Sequence, residues 1–122
     1  MIEKTQSENH IAQAFANSCD GLKSAYKSEI AFRQDVILCG SLFLFALVLP
    51  VIFVLKVLMI LSLIFILIAE LINTSIETTI DRISEEIHPL SKKAKDIGSA
   101  IVLLSFIQMI FVYLSSIMSL FF

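Results

Sequence analysis

The sequence predicts an all-α membrane protein: an N-terminal amphipathic surface helix followed by three transmembrane helices. Three observations carry this expectation. Apolar residues make up 57% of the chain and charged residues 16%, which leaves too little polar surface for a soluble fold of 122 residues. Ten Phe with no Trp, and only three Gly and two Pro, favour helices over a β-barrel. The charge-free stretches reach the ~20 residues that a helix needs to cross a hydrocarbon core of ~30 Å.

The elements follow in chain order. Over residues 6–33, Ala14, Phe15, Leu22, Ala25 and Tyr26 share one side of a helix turning about 100° per residue, while Asp20, Lys23 and Lys27 lie mostly off it. Such a helix lies in the membrane interface. Residues 36–55 carry no charge, Lys56 interrupts, and residues 57–69 are again uncharged up to Glu70. One helix over all of this would exceed the bilayer, so Pro50 and Lys56 predict a reversal. The first span is then 36–49. A second helix runs over 53–87, first in lipid and then beyond it, and ends before Pro89. Ser91 is the expected cap of a third helix over 91–121, of which residues 98–122 are uncharged.

Orientation follows from the basic residues. Lys4, Lys23, Lys27 and Arg33 precede the first span, and Arg82, Lys92, Lys93 and Lys95 lie between the second and third. Only Lys56 falls on the other side, which predicts a cytoplasmic N-terminus and a C-terminus outside. Glu3, Lys4, Gln6, Glu8, Asn9 and His10 are unlike a signal peptide. A net charge of −2 without a basic patch argues against nucleic acid as a partner. Cys19 and Cys39 read as free thiols, and His10 and His88 as loop or interface residues.

The local signal for chemistry lies where the second apolar run stops. Glu70, Asn73, Thr74, Glu77 and Asp81 fall within roughly a 100° arc of a helix, with Leu71, Ile72, Ile76 and Ile80 on the other sides. Glu29, Gln34 and Asp35 precede the first span, with Arg33 among them, and Lys92, Lys93, Lys95 and Asp96 open the last helix. The topology brings these groups to one membrane face. Carboxylates there suit Mg²⁺, which takes few protein ligands and shares its shell with phosphates. Nearby lysines suit a phosphate. The same residues could also form structural ion pairs. No GxxxxGK[ST] or GxGxxG loop is present. The residues alone reach as far as an interfacial carboxylate site of a kind suited to a cation.

Several segments then carry a resemblance. They are Glu29-Ile30-Ala31-Phe32-Arg33-Gln34-Asp35, Glu70-Leu71-Ile72-Asn73-Thr74-Ser75-Ile76-Glu77, Asp81-Arg82, and Lys92-Lys93-Ala94-Lys95-Asp96-Ile97-Gly98-Ser99-Ala100. In order, spacing and hydropathy they closely resemble the prokaryotic diacylglycerol kinase family, from about residue 11 to about residue 105. The resemblance implies a homotrimeric helical bundle in the bacterial cytoplasmic (inner) membrane, with active sites shared between protomers. It implies transfer of the γ-phosphoryl group of MgATP to diacylglycerol, giving phosphatidic acid. Glu70 would be the general base and Asn73 would fix the base or the acceptor. Glu29 and Glu77 would hold Mg²⁺. Ala14, Asn17, Ser18, Glu29, Glu77, Lys95 and Asp96 would bind the nucleotide, and Arg33, Gln34, Asp35, Glu70 and Ser99 the lipid substrate. The chain differs from well-known members at His10, Asn17, Tyr26 and Asp35, where they carry Arg, Tyr, Trp and Glu. Undecaprenol is the alternative acceptor within the family. A small carboxylate-dependent transporter is a reading from another class, against which stands the gathering of all the acids on one side.

Overall fold

A computed structural model describes residues 2–122, with side chains from Asn9 onward; the first eight side chains, Lys4 among them, lie outside that description. Four helices follow one another: α1 (Ile2–Ser28), α2 (Ile30–Val48), α3 (Phe53–Ile83) and α4 (Pro89–Met118). No strand occurs among the described residues. α2, α3 and α4 are long and apolar enough to cross a membrane. At 1.5 Å per residue α3 is about 46 Å long and α4 about 45 Å, so each extends well past a hydrocarbon core of ~30 Å.

α1 ends at Ser28, five residues before the predicted end, because the chain bends at Glu29. This residue adopts φ −111° and ψ 111° and becomes the N-cap of α2. The hydrogen-bond ladder nearly survives the bend: the Glu29 N–H still donates to Ala25 O, and the Arg33 N–H to Glu29 O. Two of the carbonyls that the bend frees, those of Tyr26 and Lys27, accept from Arg33 Nη1, at 2.9 and 2.8 Å. Of the apolar side of α1, Ala25 is buried, while Ile11, Phe15, Leu22 and Tyr26 stay exposed.

The reversal between α2 and α3 spans Leu49 to Ile52. Leu49 is extended, as the residue before a proline prefers. Lys56 lies in the first turn of α3 rather than in the reversal, and its Nζ donates to Leu47 O at 2.7 Å. The cation thereby satisfies one of the carbonyls left over at the C-terminus of α2.

α3 stops at Ile83, four residues before the predicted end, and α4 begins at Pro89 rather than after Ser91. The reason is capping. His88 Nδ1 accepts from the Leu90 N–H at 3.1 Å, and Pro89 sits where its missing N–H would have had no helical partner. The Ser84 hydroxyl accepts from the Glu86 N–H at 3.0 Å and organises the short link.

α3 packs most extensively on α4 and next on α2. The core gathers Cys39 and Ala46 of α2, Met59, Leu63 and Ile66 of α3, and Met109 and Tyr113 of α4. Polar side chains inside it find backbone carbonyls. Gln108 Nε2 donates to Ser62 O at 2.8 Å and to Ser105 O at 2.7 Å, which joins α4 to α3. Tyr113 OH donates to Leu42 O at 2.9 Å, which joins α4 to α2, and its ring stacks on Phe45. In lipid such bonds cannot be exchanged for bonds to water, which is why each donor is spoken for.

The Tyr113 bond is measurable. Tyr113→Phe keeps the ring and deletes one donor, so unfolding free energy in detergent should fall by about 0.6 kcal/mol, up to ~1.7. Phe45→Leu, which removes the stacked ring and leaves the bond, should show a loss of its own in the same thermal measurement.

Candidate functional site

The inward face of α3 runs through Met59, Ser62, Leu63, Ile66, Ala69, Glu70 and Asn73, all buried. Its spacing of three and four residues is that of one helical stripe. Apart from Ser62 the stripe is apolar as far as Ala69 and polar at Glu70 and Asn73, without leaving the helix-packing surface. Glu70 is 7% exposed and Asn73 9%. Asp35, one turn into α2 and 9% exposed, stands against them from the neighbouring helix.

The Asp35 and Glu70 carboxyl groups lie within hydrogen-bonding reach of one another, and Glu77 and Glu29 are close enough to act on Glu70 electrostatically. Asp35 and Glu70 thus stand together where the apolar part of the bundle ends, with Glu77 and Glu29 in their surroundings. Among the described residues none of the four is paired with a basic side chain: the ion pairs are Lys92–Asp96 at 2.6 Å and Lys95–Asp81 at 3.0 Å. Asn73 Nδ2 donates to Glu77 Oε1 at 3.4 Å. Asp35 Oδ2 and Asn73 Oδ1 are buried without a hydrogen-bond partner. Glu29 stands at the N-cap of α2, but its carboxylate does not close on the helix N–H groups; its one bond is from Ser28 Oγ, at 3.5 Å.

Buried acids normally acquire donors or cations, since an unpaired buried charge is expensive. This group has no cation and only two long donor contacts, from Asn73 to Glu77 and from Ser28 to Glu29, so its negative potential is available to something from outside. No three His, Cys, Asp or Glu side chains among the described residues gather closely enough to hold a metal alone. That donor set fits Mg²⁺, which uses one or two carboxylates and completes its shell with water and phosphate oxygens.

Beside the acids, α1 and α3 enclose an open cleft of about 650 Å³, lined by Ser18, Ser24, Ser28, Thr74, Thr78 and Thr79 among others. Its hydroxyl groups are neutral donors and acceptors of the kind that phosphate and sugar oxygens use. The site residues expected from sequence therefore divide. Glu29, Asp35, Glu70, Asn73 and Glu77 come together, and Ser18 faces the cleft next to them. Ala14 and Asn17 lie on the exposed part of α1, where Asn17 Oδ1 accepts from Gln13 Nε2 at 2.9 Å. Gln34 and Ser99 are exposed. Lys95 and Asp96 are engaged with Asp81 and Lys92 rather than with the cluster, and Asp96 holds the Lys92 ammonium above its ordinary pKa. Arg33 is spent in part on the bend, through Nη1 alone.

Gly98 is a residue that the sequence reading quoted without a role. It is buried in α4 against Asn73. The signal that could have found it is its position: glycine inside a helix costs about 1 kcal/mol relative to alanine, so one that sits there generally answers to packing.

Comparison with known proteins places these features in a family. The family described as prokaryotic diacylglycerol kinase matches residues 16–117. A diacylglycerol kinase of Escherichia coli (strain K12) is 38% identical over 107 residues, which cover 88% of each chain. One from Pseudomonas aeruginosa is 47% identical over 90 residues, 74% of this chain and 73% of that protein. One from Helicobacter pylori (strain J99) is 38% identical over 119 residues, 98% of this chain and 93% of that protein.

The bend at Glu29 yields a prediction. Arg33→Leu removes the donor to Tyr26 and Lys27, so limited proteolysis should cut between residues 26 and 31 several times faster. Thermal unfolding of the three apolar helices should change little, because Arg33 bonds to none of them beyond its own.

Proposed function

The chain belongs to the prokaryotic diacylglycerol kinase family, and from that premise we propose that it transfers the γ-phosphoryl group of ATP to the free hydroxyl of diacylglycerol, giving phosphatidic acid. The observation that supports this most directly is the group of four unpaired acids at the point where the buried face of α3 turns from apolar to polar. A diacylglycerol hydroxyl reaches the rim of the hydrocarbon and no further into water. ATP comes from the other phase. A residue that serves both has to stand at their boundary.

Glu70 is the general base in this reading. Its carboxylate takes the proton of the lipid hydroxyl as the oxygen attacks the γ-phosphorus, the bond to the β-phosphate oxygen breaks, and ADP leaves. Asp35 is close enough to steer that proton and the acceptor, and Gln34 and Ser99 extend the lipid side. Glu77 and Glu29 would hold Mg²⁺ on the phosphates, where the ion supplies neutralisation of the charge that builds up on the transferring oxygens. Asn73 keeps Glu77 in place through its 3.4 Å bond. Lys95, once released from Asp81, offers an ammonium to the phosphates, with Asp96 beside it. Ser18 and the threonines of α3 line the cleft for the rest of the nucleotide, with Ala14 and Asn17 further along α1. Phosphoryl transfer needs positioning and charge stabilisation more than covalent help, so a site of this simplicity is chemically sufficient.

The proposed assembly is a homotrimer whose sites are shared between neighbours. It sits in the bacterial inner membrane with α1 and the α3–α4 link in the cytoplasm, as the distribution of basic residues favours. Sharing is supported by the absence of a basic partner for the acids within one described chain.

With MgATP and short-chain diacylglycerol the purified protein should make phosphatidic acid, and Glu70→Gln should lower kcat by about 10²–10⁴-fold while the assembly persists. Undecaprenol should be the poorer acceptor; phosphorylation of neither lipid would sink the kinase reading. Glu77→Gln should raise the Mg²⁺ concentration needed for half-maximal rate, and an unchanged Mg²⁺ response would remove it from the metal site. Inactive Glu70→Gln and Lys95→Leu chains, mixed and reassembled, should regain part of the activity if one site draws on two protomers.

A further inference from the structure

Three glycines occur in the chain, and one of them has its vacant side-chain position taken by another residue. A Cβ at Gly21 or Gly40 would meet nothing within 4 Å. At Gly98 it would overlap Asn73 Oδ1 and stand 3.4 Å from Asn73 Cγ and 3.6 Å from Ile76 Cδ1. Gly98 has no positive φ that would call for glycine on conformational grounds. Its justification is the approach of α3.

That approach fixes the Asn73 carboxamide at both ends. Oδ1 lies in the space that a Cβ on Gly98 would fill, where it has no hydrogen-bond donor. Nδ2 donates to Glu77 Oε1. A planar amide whose oxygen is seated against one helix can aim its N–H groups in few directions, and here it aims at the carboxylate one turn along. An added methyl group would force a choice. The amide could rotate away from α4 and release Glu77, or α4 could move off α3. Either outcome displaces a carboxylate of the site.

We propose that Gly98 is a positioning residue for phosphoryl transfer: its bare α-carbon is the seat of the Asn73 carboxamide, and through Asn73 it holds Glu77. The role rests on the kinase reading above. It differs from plain helix packing in that its effect passes through one side chain. Removing Asn73 should make Gly98 tolerant of a methyl group.

A double-mutant cycle reads this. Gly98→Ala should lower kcat about tenfold or more and raise the Mg²⁺ needed for half-maximal rate, whereas in an Asn73→Ala background the same change should cost less than about twofold. The thermal midpoint in detergent should follow the same pattern, falling with Gly98→Ala alone and not in the double variant. Gly40→Ala, which fills open space within the protomer, should keep wild-type turnover and Mg²⁺ response. The proposal is overturned if Gly98→Ala keeps wild-type kcat and Mg²⁺ response, if the two losses simply multiply, or if Gly40→Ala loses as much as Gly98→Ala. Should Gly98→Ala fail to assemble, recovery of folded protein by adding Asn73→Ala supports the contact, and failure of both variants overturns it. The thermal cycle needs no turnover, so a wild-type chain inactive on every lipid would sink the function while leaving the Gly98–Asn73 contact measurable.

Discussion

Helix α3 buries one face from Met59 to Asn73, and that face changes chemistry between Ala69 and Glu70. Everything else in the molecule is arranged around this continuity. In the first half of α3 the face carries Met59 and Ile66, both fully buried, and holds α2 and α4 together by ordinary apolar packing. In the second half the same stripe presents Glu70, Asn73 and Glu77 to the same neighbours. The site is therefore a prolongation of the core. Its acids are set with the rigidity of a packed helix, while an acid on a loop would have to be ordered when substrate arrives.

Two groups of polar residues show how differently one bundle treats them. Gln108, Tyr113 and Lys56 each donate to a carbonyl of a neighbouring helix at 2.7 to 2.9 Å. They link the helices through bonds to backbone carbonyls. Around Glu70 the acids have no cation, and Asp35 Oδ2 and Asn73 Oδ1 have no donor at all. Buried polar groups are expensive to leave unmatched, and these two have different settings: Asn73 Oδ1 is closed against Gly98, whereas Asp35 Oδ2 stands among the acids, where an outside partner would supply the match. In the proposed reaction the metal ion would bring the positive charge and the lipid alcohol the donor.

The bend at Glu29 connects the bundle to α1. Because Arg33 takes up the carbonyls of Tyr26 and Lys27, α1 turns away from α2 with little loss of hydrogen bonding. Glu29 is left at the corner with its carboxylate free and close to Glu70. The same bend sets α1 over α3 and opens the hydroxyl-lined cleft. One backbone feature thus sets both the Glu29 carboxylate and the cavity at this corner.

The sequence by itself determined whatever depends on composition and on period. Charge-free runs marked the spans, Pro50 marked the reversal, and a 3.6-residue repeat put Glu70, Asn73 and Glu77 on one side of α3. Those are properties of a single helix and need no neighbour. The residue types also carried the resemblance to the family. What only the tertiary structure decided were meetings between elements. Asp35 reaches Glu70 from another helix, Lys95 is held by Asp81 across the α3–α4 link, and Gly98 receives the side chain of Asn73. The helix ends moved for the same reason: Arg33 and His88 each satisfy backbone groups that no propensity of their own would assign to them. Periodicity gives a residue its direction around one helix axis. The distance to the next axis, and the side chain waiting there, follow only once the helices have packed.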